Sequence, residues 1–189
     1  MEATALALPG CFLLKSRCMA DDRGAFFKLL HVPTLKELGL ESDVAESYVS
    51  SSHRGVIRGL HFQAPPSDHV KMVCCLSGRA RDGLLDLRRD SPTYGQALTV
   101  DLDGSDDYIV YIARGVAHGF AAWEDRTDML YMVSSPHDPG RDLGVHWNSV
   151  GIDWWPPGWK LDLPVVSARD AALPAWPDIE TPFDFRLPT

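Results

Sequence analysis

Residues 55–63 read Gly55-Val56-Ile57-Arg58-Gly59-Leu60-His61-Phe62-Gln63, two glycines, an arginine and a histidine set in a β-prone apolar frame. On a strand, side chains alternate between faces, so Ile57, Gly59, His61 and Gln63 share one side and Val56, Arg58, Leu60 and Phe62 the other. A cation and a titratable imidazole on a glycine-thinned strand suit an anionic ligand with a reactive carbon nearby. Strict alternation nevertheless separates Arg58 from His61. Either a bulge at Gly59 brings them together, or Arg58 reaches a ligand from the strand's other side, or it acts across a dimer interface.

Outward from this stretch, short β-prone runs recur about every 8–12 residues, bounded by Gly, Pro and Asp turns. Strands are expected over residues 9–18, Ala25–His31, Val44–Ser52, Val70–Leu76, Ala80–Leu87, Gln96–Leu102, Tyr108–Ile112 and Thr127–Val133, the last clear one. Ala113–Gly119 reads as a turn leading into Phe120–Trp123. Helical periodicity is almost absent; Pro33–Gly39 suggests one short helix, with Thr34 as cap and Gly39 as stop. The spacing alone predicts an all-β sandwich or barrel. Residues 134–189 hold nine of the 14 prolines and the Trp154, Trp155, Trp159 group, an irregular tail that wraps over the strands. No internal repeat or linker is visible, and one domain is expected over residues 1–189.

The formal net charge of -8 argues against nucleic acid or a membrane surface as partner, since both favour a basic patch. It leaves room for a small phosphorylated ligand. The four cysteines form no CxxC pair, and Cys74 and Cys75 on a strand would point to opposite faces, so buried reduced thiols are expected. No apolar run approaches the ~20 residues of a membrane span, and Glu2 near the start does not fit a signal peptide. The expected location is cytoplasmic.

His61, His69 and His118 stand in suggestive settings. One reading joins them at a metal, although no HxH pair or HExxH supports it. Another makes His61 a general base, which would need an orienting carboxylate, an acid on the other side of the substrate and cations for developing charge. A third leaves His61 a buried histidine satisfied by a backbone carbonyl.

The order of motifs resembles the dTDP-4-dehydrorhamnose 3,5-epimerase family. The similarity runs from Asp22-Arg23-Gly24 through the 55–63 stretch, Asp86-Leu87-Arg88 with Ser91-Pro92-Thr93-Tyr94-Gly95, Gly115-Val116-Ala117-His118-Gly119-Phe120, Leu130-Tyr131 and Trp147-Asn148 to Ser167-Ala168-Arg169-Asp170. The resemblance implies a cupin-type jelly-roll barrel, a homodimer, no cofactor and no metal. It implies a nucleotide diphosphate sugar as substrate, a 4-keto-6-deoxy sugar inverted at C3, C5 or both. His61 matches the family's base and Asp170 the carboxylate that orients it. Lys71 matches the lysine at the substrate's carbonyl oxygen, Tyr131 the acid on the opposite sugar face, and Arg23 and Arg58 the arginines on the diphosphate. Phe26, Gln63 and His118 match further site positions. Two alternatives belong to other classes: a metal-dependent cupin enzyme, and a sugar-nucleotide binding protein without activity.

The chain also departs from the family pattern. Lys28 stands where the family has a glutamate, and Glu46-Ser47-Tyr48 where it has Gln-x-Asn, which implies a nucleobase other than thymine. Met132 replaces a lysine, and Pro136-His137 replaces a tyrosine pair, so the number of inverted centres is open.

Overall fold

The computed structural model describes residues 1–159, 163–176 and 178–185. Its six-stranded sheet runs β1 (Glu2–Ala5), β2 (Phe12–Lys15), β10 (Tyr108–Ile112), β7 (Lys71–Ser77), β12 (Thr127–Val133), β5 (Glu46–Ser52). Its five-stranded sheet runs β13 (Asp142–Gly144), β6 (Ile57–Gln63), β11 (Val116–Ala122), β8 (Arg79–Asp86), β9 (Ala97–Asp103). A separate hairpin joins β3 (Met19–Asp21) to β4 (Gly24–Phe26). The helices are α1 (Val32–Glu37), a 3-10 turn at Trp147–Ser149 and α2 (Ala168–Ala171).

The expected jelly-roll barrel is not what forms. Among the described residues no strand pairs from one sheet to the other; β1 and β5 end the first sheet, and β13 and β9 the second. Closure would need a ladder of backbone bonds between edge strands, and two of these edges are only four and three residues long. Side chains join the sheets instead. Val73, Cys75, Val110 and Met129 of the first meet Ala80, Leu84, Leu102 and Phe120 of the second in one buried cluster. The architecture is two open antiparallel sheets packed face to face.

The outer faces are covered too. Leu35 of α1 packs with Met72, Cys74 and Ile109 on the first sheet. Trp154 and Phe183 of the C-terminal segment pack with Ile57, Leu85 and Trp123 on the second. Cys74 and Cys75 thus face opposite sides, as alternation requires. All four cysteines are unpaired; Cys18 is exposed, unlike the other three.

Strands buried on both sides read as continuous apolar runs, which hides their boundaries. Residues 116–122 form a fully buried strand, so the turn expected up to Gly119 gives way to strand from Val116. Gly119 lies within it because a Cβ there would come 2.6 Å from the Arg58 carbonyl oxygen on the neighbouring strand. β13 lies beyond the expected last strand, and the run expected over Ala25–His31 stops at Phe26. The short helix has His31 as its N-cap residue with no side-chain capping bond, so the expected cap Thr34 lies inside it, while Gly39 follows its last turn at φ +69.

Candidate active site

The decisive local feature is the irregularity at Gly59. Along β6 and β11, His61 pairs with His118, but Arg58 pairs with Phe120, so β6 carries one extra residue between them. Gly59 takes φ +103 there, a conformation that L side chains rarely adopt. The bulge brings Arg58 and His61 to the wall of one cavity of about 690 Å3. Of the three ways to reconcile these residues, the bulge is the one observed within the chain.

Asp170 arrives from the C-terminal segment. Val165 hydrogen-bonds with Gly55 and Ile57, and Ser167 then caps α2 by accepting the Asp170 N–H at 3.0 Å. The Asp170 carboxylate receives His61 Nε2 at 2.7 Å and the Gly59 N–H at 3.0 Å. Burial pushes this carboxyl up, but the His61 and Gly59 hydrogen bonds outweigh it and leave Asp170 below its ordinary range. With Nε2 engaged by a carboxylate, the ring's Nδ1 is left for a ligand.

The first sheet supplies the facing wall. Lys71 and Tyr131 are both buried cavity residues. Burial, opposed by the charges of Asp142 and Asp82, pushes Lys71 down to about 8. Burial pushes the Tyr131 phenol well up, so it holds its proton. Its hydroxyl lies 3.5 Å from the Ser50 hydroxyl, and Tyr48, directly opposite on β5, stacks on its ring at 4.8 Å. His118 is in mid-strand with Nε2 3.1 Å from Asp82 Oδ1, but the two are not aligned as a hydrogen bond.

Other expected residues have different fates. Gln63 lines the cavity but spends its amide on the protein, donating to the Ser67 carbonyl at 2.8 Å and accepting the Asp138 N–H at 2.6 Å. Glu46 and His137 are joined at the rim, where the His137 N–H donates to the Glu46 carboxylate at 2.7 Å. Arg58 donates to the Ser52 hydroxyl at 3.1 Å. Arg23, Phe26 and Lys28 do not line the cavity. The Arg23 side chain is 90% exposed and pairs with Asp21, and Phe26 is 56% exposed.

Three further charged residues were not singled out from sequence. Asp142 and Arg169 line the cavity and pair at 2.9 Å, and Asp82 lies behind His118. Only Arg169 carried a signal, its place within the Ser167–Asp170 motif. Among the described residues no three His, Cys, Asp or Glu side chains converge as metal ligands. The arrangement sets His61 of one sheet, bonded to Asp170 of α2, opposite a lysine and a protonated phenol of the other sheet, a layout suited to taking a proton from one side of a carbon and returning it from the other.

Known proteins share this arrangement of chain. The pattern of the dTDP-4-dehydrorhamnose 3,5-epimerase family matches residues 5–178. The dTDP-4-dehydrorhamnose 3,5-epimerase of Mycobacterium tuberculosis is 35% identical over 95% of this chain and 89% of its own. The dTDP-4-dehydrorhamnose 3-epimerase of Streptomyces niveus is 36% identical over 92% and 88%. The crystal structure of the Legionella pneumophila dTDP-6-deoxy-D-glucose-3,5-epimerase superposes with a TM-score of 0.90 at 27% identity, covering 98% of this chain and 99% of that one. By the extent of these matches, the chain belongs to the dTDP-4-dehydrorhamnose 3,5-epimerase family.

Proposed function

We propose that this isomerase inverts C3, C5 or both in a nucleotide-linked 4-keto-6-deoxy sugar by proton abstraction through an enolate. The His61–Asp170 hydrogen bond facing Lys71 and Tyr131 across one cavity carries the reading. The C4 ketone acidifies the protons on C3 and C5. His61 takes one of them, and the C–H electron pair moves onto the C4 oxygen as an enolate. Lys71 donates to that oxygen, and Asp170 stabilises the imidazolium. Tyr131 returns a proton to the carbon's other face, which inverts it, and regains its own from solvent, while the His61 imidazolium releases the abstracted proton to solvent. Arg58 at the cavity wall holds the diphosphate by charge-assisted bonds, so that binding energy distant from the reacting carbon positions the sugar.

A second copy of the chain completes the site in this reading. Arg23, Phe26 and Lys28 sit on or beside an exposed hairpin away from the cavity, and β5 ends its sheet with Tyr48 and Val49 exposed. Both features support a homodimer in which the hairpin of one protomer borders the cavity of the other. A cytoplasmic location is supported by the four unpaired cysteines. No helix among the described residues is long and apolar enough to cross a membrane. Lys28, Glu46 and Tyr48 depart from the family pattern and support a nucleobase other than thymine.

The test is solvent exchange in heavy water with thymidine, cytidine and guanosine diphosphate 4-keto-6-deoxy sugars. Deuterium should enter at C3, C5 or both, fastest with one nucleotide, and should vanish in His61→Ala. Incorporation unchanged by that substitution refutes the base assignment. No incorporation with any nucleotide supports a binding protein instead.

A further inference from the structure

His69 lines the same cavity, and neither the reaction above nor the family resemblance gives it a part. Its surroundings fix which nitrogen carries the proton. The Gln63 amide is oriented by its other bonds: Oε1 accepts the Asp138 N–H, while Nε2 donates to the Ser67 carbonyl and lies 3.2 Å from that of Pro136. That same Nε2 is 3.1 Å from His69 Nδ1. An amide nitrogen has no lone pair to offer, so a proton on Nδ1 would meet no acceptor there, and Nδ1 is the unprotonated nitrogen. A neutral ring in this place therefore carries its proton on Nε2. The ring is neutral, because burial and then the charge of Lys71, with Arg114, His118 and His137 adding to it, pushes His69 down to about 3. Among the described residues the ring's hydrogen bond is made through Nδ1, and none is made through Nε2.

The position agrees with a use for that N–H. His69 lies two residues before Lys71, just ahead of β7, and both line the cavity, whereas the intervening Val70 packs in a separate apolar cluster with Leu35 and Met72. We infer that His69 donates a hydrogen bond from Nε2 to the substrate's C4 oxygen, forming with Lys71 a two-donor cradle for the enolate. The cradle combines a cation with a neutral donor whose proton is locked in place by Gln63. The inference rests on the epimerase reading.

The test compares deuterium incorporation by the full-length protein and by His69→Phe and His69→Gln at saturating substrate, with melting temperatures measured alongside. His69→Phe keeps the bulk and loses the donor; it should slow exchange about 100-fold, with KM changed less than about threefold. His69→Gln keeps an N–H and should recover to within about tenfold of wild type. His69→Phe exchanging at the wild-type rate overturns the inference, as do two variants that slow equally. Imidazole 15N shifts of the wild type provide a readout independent of activity and of any variant's folding. They should show an Nε2–H neutral ring between about pH 5 and 9, and an Nδ1–H ring overturns the inference. A wild type inert toward every 4-keto sugar nucleotide overturns the epimerase reading and this inference together, whereas an active wild type matched by His69→Phe overturns this inference alone.

Discussion

Asp86 and Asp170 are both buried carboxylates held below their ordinary range, yet they are built for different ends. Asp86 is fully buried and saturated: it receives Arg88 Nε at 2.7 Å, Arg88 Nη2 at 2.8 Å, Ser91 Oγ at 2.6 Å and Thr93 Oγ1 at 2.7 Å. Asp170 receives one imidazole and one backbone N–H. In each, burial pushes the carboxyl up and hydrogen bonds outweigh it. The partners differ. Arg88 is a guanidinium whose remaining bond goes to the Pro9 carbonyl at 2.8 Å. His61 is an imidazole that lines the cavity. A buried, depressed carboxylate therefore does not by itself mark a reactive site; a titratable partner that faces a cavity does.

Matched substitutions break this comparison if it is wrong. Asp170→Asn should lower deuterium exchange at least about 1000-fold, because the imidazole loses the group that sets its tautomer and stabilises its charged form, while the melting temperature moves little. Asp86→Asn should do the reverse, costing about 3–5 kcal/mol in denaturant unfolding and leaving the folded fraction active. The acid limb follows from the same bonds. Asp86 sits below its free value of 3.8, so its contribution is complete above that value and is lost as pH falls through its folded value. Wild-type stability should drop steeply below about pH 4, and Asp86→Asn should flatten that drop.

Lys71 sharpens the contrast between cations. Arg88 is buried against a saturating carboxylate, whereas no hydrogen-bond partner for Lys71 is found among the described residues, and burial pushes it down to about 8. Lys71→Met should cut exchange about 100-fold and at the same time raise the melting temperature, since a costly buried charge is removed. In the wild type, exchange should fall as pH rises through about 8 and the cation is lost, and this limb should be absent in Lys71→Met. Stability has the opposite slope. The unfolded lysine holds its proton up to 10.5, so the unfolded state binds more protons between about 8 and 10.5 and wild-type stability should rise over that interval.

These contrasts also show what local sequence can reveal. Tyr108–Ile112 and Thr127–Val133 are strands with the expected bounds, because Gly, Pro and Asp punctuate them on either side. The run at 116–122 was obscured because Gly119, with Gly115 just ahead of the run, resembles a turn until the approach of Arg58 is known. Whether two sheets close depends on pairing between distant edges, which no local pattern records. The same limit applies to the cavity. His61 and Asp170 are 109 residues apart, and only the order of family motifs pointed to their meeting. That order could not place Arg23, Phe26 and Lys28, which this chain keeps outside its own cavity. Asp82 went unnoticed because nothing within the expected Ala80–Leu87 strand tells which of its charged side chains is buried, although it lies fully buried behind His118.

The smallest expected effect concerns how loosely the proposed acid is held. Where four side-chain bonds fix Asp86, Tyr131 has one hydroxyl neighbour at 3.5 Å and the ring of Tyr48, itself 41% exposed, stacked at 15°. An aromatic pair of this kind contributes about 0.5–1.5 kcal/mol beyond the area it buries. Tyr48→Leu should therefore slow inversion about three- to tenfold, as Tyr131 samples orientations that do not point at the sugar. Tyr48→Phe keeps the stacked ring and should match wild type in rate. If Tyr48 instead serves the ligand through its hydroxyl, Tyr48→Phe will raise KM and Tyr48→Leu will do no worse. Measuring both parameters for both variants thus separates a ring that steadies the acid from a hydroxyl that binds substrate. It also shows whether the cavity's first-sheet wall tolerates a looseness that the Asp86 cluster does not.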